Sequence, residues 1–160
     1  MARAGAAGAA ALSYLLSFLT LGIFWVGQQT QLNQLARSNR DLTWFYLGFL
    51  LAVSLMPFST GLLAEFITFR LALVLYWLNL LLLGVLLFAS RRYAIRAGLL
   101  KDDVTAEQLA AGERRIVVYQ ALYAFCLLIG MISTYAAIAL LVLLQLNSAV
   151  APRIRLLDRF

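Results

Sequence analysis

The chain has 160 residues, of which 64% are apolar and only 12% charged, so it carries about half the charge of an ordinary soluble domain. Its net charge of +6 could suit nucleic acid, but the basic residues sit in short groups at the ends of apolar runs, without a basic stripe or aromatic platform, which excludes that partner class. With no histidine and a single cysteine, Cys126, it lacks the raw material for zinc-type metal sites, His-dependent nucleophilic machinery or an intrachain disulfide, so no enzymatic activity and no cofactor are expected.

In chain order, the first apolar segment covers residues 9–26. Met1 to Gly22 superficially resembles a secretory signal, yet Trp25-Val26-Gly27-Gln28 offers no small-x-small cleavage pattern, and the segment reads as a retained helix. After the amide-rich stretch from Gln28 to Arg40, a second segment covers 42–64, with Asp41 as the expected N-cap. A third covers 69–90 and ends in Arg91, Arg92 and Arg96, which are expected to reach toward lipid headgroups. Residues 91–115 form a cytoplasmic elbow, within which Thr105-Ala106-Glu107-Gln108 has the spacing of a capping box.

The stretch from Ile116 to Ser148 would make a helix roughly 50 Å long, too much for a hydrocarbon core of about 30 Å. Gly130-Met131-Ile132-Ser133-Thr134 supplies turn chemistry at its middle, giving two short spans at 116–131 and 134–150. Charge decides between the alternatives. With five spans, 11 of the 13 basic residues share one face, including Arg37, Arg40, Lys101, Arg114, Arg115, Arg153, Arg155 and Arg159, and only Arg3 and Arg70 lie on the other. Fusing the last two spans weakens the division to 8 against 5. The expected architecture is therefore all-α: one polytopic transmembrane bundle of about five spans, in contact with membrane lipids, its C-terminus cytoplasmic.

The spans contain essentially no ionisable residue, which argues against a proton relay or an ion-coupled transporter. The candidate residues are polar or conformational. Asn79 needs a partner on another helix or subunit; Gln28 and Gln29 stand where they can bond a neighbouring helix or, equally, be solvated loop residues; Trp25, with Trp44 and Tyr46, fits an interfacial anchor. Tyr76-Trp77 lies well inside the third span, where the indole N–H needs a partner at a helix interface. Pro57 is expected to kink its helix, either as shape alone or as a candidate hinge, with Ser54 and Ser59-Thr60-Gly61 able to re-satisfy or relax the local backbone. Glu65 is a candidate external mouth residue, with an interfacial carboxylate near Arg70 as the plainer reading.

The run from Ser13 to Trp25, ending Gly22-Ile23-Phe24-Trp25, followed by Leu55-Met56-Pro57-Phe58-Ser59-Thr60 and Leu62-Leu63-Ala64-Glu65, resembles the bacterial transmembrane protein 175 family, relatives of the lysosomal potassium channel. The resemblance implies helices two to six of a six-helix fold, a homotetramer in the plasma membrane, potassium as the permeant ion and a ring of aliphatic side chains as constriction. Two departures accompany it. The family's first, pore-lining helix with its Arg-x-x-x-Phe-Ser-Asp signature has no counterpart, Phe58-Ser59 being followed by Thr60; and Gln28-Gln29 stand where many relatives carry histidine. The odd span count agrees with a first helix lacking at the N-terminus. The alternative to a channel subunit is a non-conducting scaffold or truncated family remnant.

Overall fold

A computed structural model describes residues 2–67 and 69–150, and among them the chain forms five helices and no strand beyond a lone antiparallel bridge between Leu35 and Leu100. They are α1 (Ala2–Asn33), α2 (Arg40–Glu65), α3 (Arg70–Arg96), α4 (Ala106–Gly130) and α5 (Thr134–Val150). Arg153, Arg155 and Arg159 of the basic C-terminal group lie outside the described residues.

Several helix limits differ from the expected ones, each for a local reason. α1 is longer at both ends than its apolar run, because alanine, the best helix former, dominates its start and the amide-rich turn from Gln28 to Asn33 continues it. At the start of α2 the cap is Asn39 rather than Asp41. The Asn39 side chain accepts from the Leu42 N–H at 3.0 Å, which moves Asp41 into the first turn, where its charge faces the positive end of the helix. α3 continues past Ser90 to Arg96, so Arg91 and Arg92 are helical.

The other two signals are met as read. Thr105 caps α4 in a full capping box, its hydroxyl accepting from the Gln108 N–H while the Gln108 side chain accepts from the Thr105 N–H. The chain turns at Met131–Ser133, where the N–H groups of Met131, Ile132 and Ser133 close on carbonyls of the last turn of α4. α4 therefore runs unbroken from the elbow into the apolar region, and the link between α3 and α4 is only residues 97–105.

The helices close into a ring. α1 packs on α2, α3 and α5; α3 packs on α2 and α4; α4 packs on α5. The centre is filled by Phe49, Ala52 and Met56 of α2, Leu73, Tyr76, Leu80 and Leu83 of α3, Tyr123 and Cys126 of α4, and Ala137 and Leu141 of α5. Close approach of α3 and α4 rests on glycine. A Cβ on Gly84 would fall on the Gln120 side chain, and the Gln120 amide uses that notch to donate to the Leu80 carbonyl at 3.0 Å.

The polarity of the bundle is the reverse of a soluble one. Ser17, Thr20, Gln28, Gln31, Ser59, Thr60, Asn79, Ser90 and Gln145 are buried, while Tyr14, Phe18, Leu51, Phe58, Leu71, Leu128, Ile132 and Leu143 are each more than 60% exposed. Water would penalise that arrangement and lipid favours it. α2 and α3 are long and apolar enough to cross a membrane.

Candidate functional site

The polar groups inside the bundle fall into one central node and a set of ties along the helices. Tyr76 is the node. Its hydroxyl accepts from the Gln145 amide of α5 at 2.9 Å and shares a hydrogen bond with the Thr20 hydroxyl of α1 at 3.2 Å, and all three residues are fully buried. Three helices far apart in sequence thus meet at one phenol. Further along α1, the Gln31 amide donates to the Leu87 carbonyl at 2.8 Å and accepts from the Ser90 hydroxyl at 3.1 Å, which fixes α1 to α3. Asn79 faces α2 around Ala52, Met56 and Ser59.

A second group of ties sits at the end that carries the loops 34–39 and 97–105. The two loops are joined by backbone bonds, Ala36 N–H to the Leu99 carbonyl at 2.9 Å and Lys101 N–H to the Gln34 carbonyl at 3.0 Å. Tyr93 holds the start of α2 against α3: its hydroxyl accepts from the Asn39 amide at 2.8 Å and donates to the Asp41 carboxylate at 3.0 Å. Arg91, expected at headgroups, is buried. Its guanidinium lies against Gly112, where any Cβ would displace it, and donates to the Gln108 carbonyl at 3.2 Å. Arg92 bonds Glu113 at 2.9 Å and lies over the Phe88 ring.

The residues singled out from sequence are not gathered in one place. Trp25 is 54% exposed and lines an apolar recess with Phe18, Leu21, Gly22, Phe49 and Val53 between α1 and α2. Gln28 and Gln29 separate, as neighbours on a helix must: Gln28 is buried, with its side-chain oxygen lacking a donor among the described residues, and Gln29 is exposed. Pro57 is exposed on α2, and Asn79 is buried one helix away. Glu65 is exposed at the last turn of α2 and makes no ion pair with Arg70, the Arg92–Glu113 pair standing alone among the described residues.

One expectation changes. The partnered group of the Tyr76-Trp77 pair is the tyrosine, since the Trp77 indole nitrogen is buried with no partner among the described residues. Around Pro57, Ser54 bonds the Leu51 carbonyl and Thr60 the Met56 carbonyl, the relaxing rather than the re-satisfying of the two expected courses. Sequence reasoning passed over Gln145 and Gln31. A lone amide in the run from Ile138 to Leu146 is the signal that marks the former.

No group of three or more His, Cys, Asp or Glu that could hold a metal occurs among the described residues. What the arrangement does is hold helices together through buried polar bonds while presenting apolar side chains outward. It defines an integral membrane protein of the all-α class. Residues 2–57, which take in α1 and α2 as far as the proline, match the model of the endosomal/lysosomal potassium channel TMEM175, and over this stretch the chain is similar to that family. A potassium channel of Streptomyces collinus is 36% identical over 55 residues, covering 34% of this chain and 27% of that protein. The match thus spans little more than a quarter of the relative's length. No solved structure matches.

Proposed function

We propose that the chain is a subunit of a potassium-permeable cation channel of the TMEM175 type, a homotetramer in the plasma membrane. The observation that carries this reading is the family match over α1 and most of α2, the two helices that contain the inward polar face and the outward aromatic one. All five helices cross the bilayer in this reading; among the described residues α2 and α3 are both long and apolar enough to do so. The loops 34–39 and 97–105 and the C-terminus are cytoplasmic, and Glu65 lies at the external mouth. Cysteines placed singly at Lys101 and Glu65, in a Cys126→Ser background, are then labelled by an impermeant maleimide from opposite sides of sealed vesicles. Labelling of both from one side would refute the orientation.

The interior of the five-helix ring is occupied by side chains such as Tyr76, Leu80 and Leu83, each with no exposure, so ions pass between subunits rather than through one. A pore-lining helix from outside these residues frames that path, its aliphatic ring acting as a hydrophobic constriction. Trp25, Gln28, Gln29 and Asn79 supply helix contacts that brace it within or between subunits. The same filled interior favours a second reading, a non-conducting scaffold. Potassium flux into liposomes decides between them. The protein extended by a helix bearing Arg-x-x-x-Phe-Ser-Asp carries flux if the channel reading holds, and absence of flux from that extended form leaves the scaffold.

A further inference from the structure

Two neighbouring rungs of the α2 hydrogen-bond ladder differ from the rest. Pro57 has no N–H, so the Val53 carbonyl has no helical donor four residues on. One rung earlier, both groups are engaged by a side chain of another helix. With its nitrogen toward α2's Ala52, the Asn79 amide donates to that carbonyl at 3.1 Å, while its oxygen accepts from the Met56 N–H at 3.2 Å and from the Ser59 hydroxyl at 3.1 Å. The reverse orientation leaves the nitrogen on the Met56 sulfur and the Ser59 oxygen, a poorer match of donors to acceptors.

The surroundings loosen the same segment. Ser54 donates to the Leu51 carbonyl at 2.7 Å and Thr60 to the Met56 carbonyl at 2.8 Å, the back-bonding that bends helices. Beyond the proline there is room: a Cβ on Gly61 would meet nothing within 4 Å. A missing rung, a rung held from outside, two back-bonded carbonyls and adjacent free space all fall between Leu51 and Gly61.

We propose that α2 is hinged at Met56–Pro57 and that Asn79 is the clasp of the hinge, so that α3 sets the angle between residues 40–56 and residues 57–65. A proline is one of the few recognised causes of helix bending, and here it stands next to a rung whose two groups both bond a side chain of another helix. Because the amide bonds both groups of one rung, the segment cannot straighten or open further without losing two backbone contacts together. Ser59, on the far side of the proline, ties the outer half to the same amide. The hinge is a property of this chain alone and holds whether or not it conducts.

Spin labels at Thr43 and Glu65, exposed positions roughly 33 Å apart along the helix, report the angle by pulsed electron resonance on the full chain in liposomes, with Cys126→Ser as background. Asn79→Leu, which keeps the volume and removes the bonds, broadens the distance distribution, and the Met56 amide exchanges with deuterium about tenfold faster. Adding Pro57→Ala, which supplies the missing donor, narrows the distribution again. An unchanged width together with unchanged exchange in Asn79→Leu overturns the proposal. Should Asn79→Leu fail to yield a monodisperse helical protein, Pro57→Ala alone decides, because a mean distance and a width both equal to those of the parent overturn the hinge. Neither readout depends on ion flux, so failure here is separate from failure of the channel reading.

Discussion

Gly84→Leu is expected to cost about 3 kcal/mol or more of bundle stability, measured as the shift in reversible unfolding of the purified protein in mixed micelles. The position facing Gly84 is filled by Gln120, whose Cγ would lie 2.9 Å from even a single added carbon, with its amide closer still. A leucine there expels Gln120, and three losses follow. The hydrogen bond to the Leu80 carbonyl goes, the amide is left in an apolar surround, and α4 is pushed away from α3 along the line that also seats Arg91 against Gly112. Gln120→Ala by itself should cost only about 1 kcal/mol, since it removes one bond and a half-buried side chain. Combined with Gly84→Leu it returns volume to the notch, so the double variant should be more stable than the sum of the single effects. Strict additivity of the two changes would show that the notch does not set the helix spacing.

The second large effect belongs to the central phenol. Tyr76→Phe removes one oxygen and leaves the Gln145 amide N–H without its acceptor, in a residue whose own carbonyl oxygen already has no donor among the described residues. Hydrogen bonds between membrane helices contribute on average about 0.6 kcal/mol and at most about 1.7, but a stranded buried donor costs roughly 1–3 kcal/mol. A loss near 2 kcal/mol is therefore expected from Tyr76→Phe. Gln145→Leu in the same background should recover most of it, because an apolar pair needs no partner. If the double variant is as unstable as Tyr76→Phe, the bond between α3 and α5 is not what the hydroxyl provides.

The features that were legible in the sequence are those whose chemistry is local. The turn at Met131–Ser133 and the capping box at Thr105 need only residues within four positions of each other, and both stand where their residue types place them. The start of α2 shows the limit. Asn39 and Asp41 are both good caps, and what separates their roles is Tyr93, which approaches from α3 and bonds both. Arg91 reads from sequence as a headgroup contact because it follows an apolar run. Its burial depends on Gly112 being small, and no periodicity connects those two positions. The same holds for Tyr76, whose partners lie 56 residues before it and 69 after it. As for candidate site residues, helical rotation alone dictates that Gln28 and Gln29 part company, but which of them turns inward depends on where α3 and α5 pack.

The ring of helices also carries a timetable. α1 and α3 can meet as soon as α3 is in the bilayer, through Gln31 and Ser90, and the paired loops at residues 34–39 and 97–105 follow directly. The Tyr76 hydroxyl receives its Gln145 donor only when α5 has been made and inserted, so α1, α2 and α3 must persist in lipid with the node incomplete. The contacts of α5 with α1 and with the Tyr76 node are thus what closes the ring of these five helices, and a ribosome that stopped short of residue 145 would leave behind an open arc.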